Sequence, residues 1–345
     1  MIIVIFKVYK KMNRPTLFLI AAIVIFSSCK LDDNSTDRLV RTRGEIFGTY
    51  YAVTYYCPEG KVYKEEIDSL LKDFNNSMSY YEKNSLISKI NRNDTDEMDE
   101  YFSPVLQRSL EIYEKTDGAF DVTVSPLVNA WGFGFANKKE MTQRKVDSLL
   151  QFTGSKLVAI DGNRVVKQDP RIQFDFNAIA KGYASDLVAQ LLETKGVKSY
   201  LVDIGGDLIV GDAKPDGSKW RIALERPAEK YDDPQEYDHI VEVKTRAVAT
   251  SGSYRRYYEQ EGQRYSHTIN PKTGYPVKNN LLSVTVFADN CMTADAYATA
   301  FMVMGMEKAK RFTEQRNDLD AFFIYSKNLE EFSVYATEDL EIEEK

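Results

Sequence analysis

Strand-forming and helix-forming segments follow one another along this chain without regular βαβ alternation. That order limits its folds more than any single motif does. Runs rich in β-branched, aromatic or apolar residues read as strands at Glu45–Tyr56, Lys156–Ile160, Arg164–Lys167, Ile172–Phe176, Ser199–Ile204 and Asp207–Gly211. Others follow at Trp220–Leu224, Ile240–Val243, Ala247–Thr250, Leu281–Phe287, Ala321–Tyr325 and Phe332–Tyr335. Helical spacing marks Lys61–Asn75, Pro104–Lys115, Met141–Phe152, Ala178–Thr194, a buried helix over Thr293–Met304, and Lys308–Gln315. The pattern predicts an α+β fold with mixed helices and an antiparallel-rich sheet, and no composition break divides residues 44–345.

At 345 residues the chain can bury a substantial core, and its 22 Tyr and 18 Phe supply material for one. A net charge of −7 with no basic stripe excludes sequence-independent nucleic-acid binding. Any phosphate-bearing ligand must then be held locally, by a metal, backbone N–H groups or a lysine. Lys7, Lys10, Lys11 and Arg14 precede an apolar run, Leu17–Phe26, that ends in Ser27-Ser28-Cys29. This is the charged, apolar and small-residue order of a secretory signal over residues 1–28, with Met12 an alternative start. The run, roughly 10 residues, is too short to cross a bilayer as a helix. Cys29 after two small residues resembles a bacterial lipobox, so we expect it to be acylated, followed by a polar tether over 29–43. The expectation is then a lipid-anchored, extracytoplasmic protein of a bacterial cell envelope, with simple cleavage and secretion as the alternative. Cys57 and Cys291 lie in or beside apolar segments and are expected to be unpaired.

Several segments carry groups suited to chemistry. In DAYATA, Asp295 and Thr299 stand one helical turn apart, so a carboxylate and a hydroxyl share a face. Two hard oxygens suit Mg²⁺, which is commonly completed by water and substrate phosphate. Taken alone, the pair is explained more simply by a helix-start Asp and a Thr bonded back to its own helix. DFNAIAKGYASD sets Asp175 before a helix that carries Lys181, and strand-to-helix junctions favour anions. DIGGD at 203–207 allows close backbone approach to a ligand but is equally an ordinary turn. His267 precedes the rigid run Thr268-Ile269-Asn270-Pro271-Lys272-Thr273-Gly274, where an imidazole can accept a proton or steady a phosphate, although taken alone it is explained more simply as a structural histidine. The other histidine, His239, lies in a charged stretch and reads as a surface residue.

In combination and in this order, the segments resemble the ApbE family, the FAD:protein FMN transferases, over residues 44–310. Phe47-Gly48-Thr49 stands where the family has Met-Gly-Thr. Met78–Asn91 resembles a family segment that makes Tyr81 the ring-stacking aromatic, and Ala119, Phe120 and Asp121 match the lining of the dinucleotide site. The resemblance implies a single catalytic domain with FAD contacts from Phe47, Tyr81, Ala119, Phe120, Asp121, Asp175, Lys181 and Ile269. It implies Mg²⁺ held by the Ala178 carbonyl, Asp295 and Thr299, with His267 catalytic. Asn270 replaces the usual Asp, losing a charge while keeping a turn-forming side chain. The implied activity is Mg²⁺-dependent transfer of FMN from FAD to a threonine or serine hydroxyl of a separate acceptor, releasing AMP. That acceptor is expected in a membrane or extracytoplasmic electron-transfer system. Hydrolysis of FAD to FMN and AMP in the same site, or FAD binding without turnover, are the alternative readings.

Overall fold

The sheet begins earlier than the polar character of residues 29–43 suggests. The computed structural model describes residues 37–134, 141–225, 237–252, 257–260, 263–326 and 332–344. Within it Asp37–Ile46 is already a strand (β1), paired residue for residue with Thr49–Pro58 (β2). The tether expectation therefore fails for residues 37–43. Its cause is the edge position: only Val40 and Thr42 of that stretch are buried, while Arg38, Arg41 and Arg43 stay exposed. Charged edge strands resist pairing with other chains. The single strand expected over Glu45–Tyr56 is the close of β1, a two-residue turn at Phe47-Gly48, and most of β2. Phe47 and Gly48 have φ of 53° and 70°, the backbone of a type I′ hairpin turn, whose twist suits paired strands.

Val158–Asp161 (β3) and Arg164–Lys167 (β4) form a small hairpin of their own. The main sheet continues through Tyr200–Ile204 (β5) and Asp207–Val210 (β6). Trp220–Glu225 (β7) and Tyr237–Val243 (β8) start a second sheet, and Arg246–Gly252 (β9) returns to the first. Tyr257–Gln260 (β10) and Gln263–Ser266 (β11) pair with each other. Leu281–Ala288 (β12), Asp320–Ser326 (β13) and Phe332–Ala336 (β14) complete the main sheet, while Ile342–Glu344 (β15) joins β8. The main sheet has eight strands in the order β1-β2-β5-β6-β9-β12-β13-β14, every neighbouring pair antiparallel.

Both faces of this sheet are covered, which explains why its central strands are almost continuously apolar. Along β13, Ala321 and Phe323 enter one core, and Phe322 and Ile324 enter the other. The second core lies against the three-stranded sheet and contains Trp220, Ile222, Leu224, Val241 and Val243. The first and larger core is built with the helices Lys64–Met78 (α1), Leu86–Asn91 (α2) and Phe102–Lys115 (α3). Ser125–Trp131 (α4) and Gln143–Leu150 (α5) pack beside it. Ala180–Thr194 (α6), Cys291–Met304 (α7) and Met306–Glu314 (α8) follow. α7 buries Ala294, Ala296, Tyr297, Ala298, Ala300 and Phe301 on all its sides, as an interior helix must. Residues 37–345 cluster as one unit.

Ile172–Phe176 is extended but belongs to no sheet. The Asn91 side chain takes the place of a neighbouring strand: its Nδ2 donates to the Phe174 carbonyl at 2.9 Å, and its Oδ1 accepts from the Phe174 N–H at 2.7 Å. Asp175 N–H bonds to the Val122 carbonyl at 2.8 Å. His239 is half-buried, its ring 5.0 Å from that of Phe322, because β8 lies over the sheet. Cys57 and Cys291 are buried and unpaired.

Candidate active site

Two neighbouring faces of α6 organise the site. On one, Lys181 and Ser185, four residues apart, grip the start of β6: the Lys181 ammonium pairs with the Asp207 carboxylate, and Ser185 Oγ donates to the Asp207 carbonyl at 2.9 Å. On the other, Gly182 and Asp186 meet α7. The Gly182 N–H donates to Asp295 Oδ2 at 3.2 Å. A Cβ on Gly182 would overlap the Cys291 carbonyl oxygen and come to 2.9 Å from the Asp295 Cβ. Glycine is therefore what lets the two helix backbones touch.

The buried floor so formed carries two carboxylates, Asp207 and Asp295, against one ammonium. Burial raises both carboxyls; Asp295, further opposed by the Asp207 charge, is pushed up to about 7. Burial works against the Lys181 charge, but Asp207 and Asp295 outweigh it and hold its pKa above the usual lysine range. Asp295 is only 4 % exposed, and among the described residues the nearby ammonium, Lys181, is paired with Asp207 instead.

Above this floor opens a cleft of about 630 Å³, within the range of small-molecule sites. Asp175, Ala178, Lys181, Asp295 and Thr299 line it together with His267 and Ile269. Tyr81, Ala119, Phe120 and Asp121 line it from the α1–α4 side. Of the expected flavin contacts, Phe47 alone does not line it. It occupies the hairpin turn, and its ring packs edge-on against Phe74 at 5.6 Å, while Thr49 and Tyr50 reach the cleft instead.

The wall residues divide by what their polar groups already do. Asp121 is satisfied from inside the protein. Its carboxylate accepts from the Thr123 N–H at 2.8 Å and hydroxyl at 2.7 Å, and from the Ser155 hydroxyl at 2.8 Å and N–H at 3.2 Å. Burial raises its carboxyl even so. Asp175, which also lines the cleft, accepts the Asn177 N–H at 2.9 Å and is likewise raised by burial. Tyr81 is 60 % exposed at the rim. Beside it Tyr80, a cleft residue the sequence did not single out, is fixed by the Ser125 hydroxyl and the Asn129 amide, each at 2.6 Å from its own hydroxyl.

His267 is half-buried on a loop closed by its own chemistry. Asn270 Oδ1 accepts the Lys272 N–H at 2.9 Å and the Thr273 N–H at 3.2 Å, an Asx turn that an Asp could make equally well. Ile269 bridges to Pro276, and Trp131 on α4 donates its indole N–H to the Gly274 carbonyl at 2.8 Å.

The floor fits a hard divalent ion by donor chemistry and by charge. Asp295 can supply a carboxylate, Thr299 a hydroxyl (with Ser251 Oγ at 3.3 Å) and Ala178 a carbonyl, and all three residues line the cleft. Among the described residues no three His, Cys, Asp or Glu side chains cluster to form a closed metal cage. An ion held here would need oxygens from water and a phosphate-bearing ligand, as Mg²⁺ usually does. Asp207, Gly182 and Asp186 were missed from sequence, since each acts on residues 26 to 113 positions away.

Comparison with known proteins agrees with this arrangement. Over 310 residues the chain is 37 % identical to an FAD:protein FMN transferase of Vibrio cholerae, covering 87 % of this chain and 91 % of that protein. It is 34 % identical over 293 residues to an Escherichia coli protein of the same name, covering 81 % and 82 %. Among solved structures it resembles the flavin transferase ApbE from Vibrio cholerae, with a TM-score of 0.76 at 36 % identity, over 88 % of this chain and 98 % of that one. The apo flavinyl transferase ApbE of Pseudomonas stutzeri gives a TM-score of 0.79 at 35 % identity, over 88 % and 95 %. The sequence pattern of the ApbE family matches residues 47–323, and the chain belongs to that family.

Proposed function

We propose that this chain is a transferase that moves the FMN half of FAD onto the hydroxyl of a threonine, or a serine, in a separate acceptor protein. Mg²⁺ serves as cofactor and AMP leaves. The observation that carries this reading is the meeting in one cleft of Ala178, Asp295 and Thr299 with the ammonium of Lys181 and the imidazole of His267. Relatives named FAD:protein FMN transferase support it.

The acceptor oxygen bonds to the phosphorus of the FMN half, and the P–O bond to the AMP phosphate breaks. The acceptor's hydroxyl proton passes to the His267 imidazole. Asp295, Thr299 and the Ala178 carbonyl would hold the cation, which would supply positive charge to offset that of the diphosphate. Lys181 offsets the Asp207 carboxylate, which lowers the negative charge a phosphate would meet at the cleft wall. Asp175 accepts a hydrogen bond from a ring N–H or a ribose hydroxyl, and Tyr81 stacks on a ring at the rim. In this reading the chain works outside the cytoplasm, anchored by an acylated Cys29, and its acceptor belongs to a membrane or extracytoplasmic electron-transfer system. Residues 1–36 lie outside the described residues.

Incubation with FAD, Mg²⁺ and an envelope fraction of the source cell tests the reading. A protein band bearing flavin fluorescence after denaturing electrophoresis, heavier by FMN in mass spectrometry, is the expected result. Free FMN and AMP with no labelled protein would mean hydrolysis, and unchanged FAD would mean binding alone.

A further inference from the structure

The first turn of α7 is capped from two sources. A helix leaves its first four N–H groups without internal partners. Asn290, the residue before α7, accepts the Thr293 N–H on its side chain at 2.9 Å, and its carbonyl accepts the helix's first regular bond, from the Ala294 N–H at 3.2 Å. The Cys291 and Met292 N–H groups are taken by a residue more than a hundred positions earlier: Asp186 Oδ1 accepts the Cys291 N–H at 2.7 Å, and Oδ2 accepts the Met292 N–H at 2.9 Å. Asp186 is 5 % exposed and does not line the cleft. It stands on α6 one turn beyond Gly182, the point of backbone contact with α7 and the donor to Asp295.

We infer that Asp186 is a positioning residue for the cation site, an inference that rests on the metal role proposed for Asp295 and Thr299. A two-pronged carboxylate cap fixes both the sliding and the turning of α7 against α6, because its two oxygens meet successive N–H groups at the helix end. α6 follows directly on the segment that carries Ala178, whereas Asp295 and Thr299 ride on α7. Whether carbonyl, carboxylate and hydroxyl face one ion thus depends on how the two helices are set. Gly182 prevents the helices from being held apart, and Asp186 prevents them from slipping. The Asn290 cap lies at the same helix end and contributes comparable hydrogen bonding, but it does not connect α7 to α6.

This difference supplies the test. Mn²⁺, a spectroscopic stand-in for Mg²⁺, is titrated into the full chain without FAD, and the free ion is followed by EPR; thermal unfolding is measured in parallel. Asp186→Asn keeps the shape but presents an NH₂ to one of the two N–H groups. It should weaken Mn²⁺ binding about tenfold or more, as outer-sphere changes do at metal sites. Asn290→Ala should lower the unfolding temperature, as lost caps do, while leaving Mn²⁺ affinity within about twofold of wild type. Equal Mn²⁺ affinity in Asp186→Asn and wild type, or an equal loss in both variants, would overturn the inference. If Asp186→Asn does not fold, Gly182→Ala decides, with the same weakening expected and unchanged affinity counting against us. Asp295→Ala separates the two levels: if it too leaves Mn²⁺ binding intact, the metal reading fails together with the inference. If it alone abolishes binding, only the inference fails.

Discussion

The indole N–H of Trp131 donates to the carbonyl of Gly274 across 143 residues of sequence, at 2.8 Å. It pins the turn that closes the His267 loop onto α4, with the Tyr275 ring 5.5 Å from that of Trp131. Trp131→Phe keeps most of the packing but leaves that buried carbonyl without its donor. We expect a loss of about 1–2 kcal/mol in denaturant unfolding. The rate of FMN transfer should fall with little change in FAD affinity, as stopped-flow binding and turnover would separate.

Asp295→Asn should divide stability from function. In EDTA the variant should be at least as stable as wild type by calorimetry, because a neutral side chain removes the unmatched carboxylate beside Asp207 and can still accept from Gly182. Transfer should drop by roughly two orders of magnitude or more, the worth of a metal's charge stabilisation in the transition state. A large loss of stability in EDTA would show that the floor is built to support the fold.

Asp186 gives a pH signature. Burial pushes it up to about 7, against the pull of the Cys291 and Met292 N–H groups, from an ordinary 3.8. The folded state thus prefers the protonated acid. The stability it contributes is fully present below about pH 4 and is lost as the pH climbs through about 7. The stability difference between wild type and Asp186→Asn should therefore shrink across that window, on the order of 4 kcal/mol in total, and stay flat above it. Urea melts of both proteins over the range measure this directly.

Tyr81 and Asp121 line the same cleft and should behave oppositely. Tyr81→Ala, at an exposed rim position, should leave stability within about 0.5 kcal/mol and weaken FAD binding. Asp121→Ala strands the donors of Thr123 and Ser155 and should cost at least about 3 kcal/mol in unfolding free energy. Fluorescence titration with FAD and denaturant melts of both variants make the comparison.

Legibility in the sequence followed the range of the interaction. The one-turn spacing of Asp295 and Thr299 and the helices that became α6 and α7 rest on local periodicity, and the structure keeps them within about two residues. β1 was hidden because only Val40 and Thr42 of its first seven residues face inward. Ile172–Phe176 has a strand's composition, yet its partner is the side chain of Asn91, which no strand pattern announces. The short helix α4 is too brief to show a helical period, although Ser125-Pro126 at its start and Gly132 after its end are ordinary helix boundaries. Phe47 was carried over by its place beside Gly48, but its side chain packs on Phe74. The partners of Asp207 and Asp186 are set by tertiary contact alone.

The contact between Gly182 and Asp295 joins parts of the chain 113 residues apart, and this governs when the site comes into being. A polypeptide growing from its N-terminus completes α6 and most strands of the main sheet well before α7 exists. Until that late helix docks, the cleft lacks the wall that Asp295 and Thr299 provide. A product truncated before residue 291 would carry most of the scaffold and, of the three proposed cation ligands, Ala178 alone.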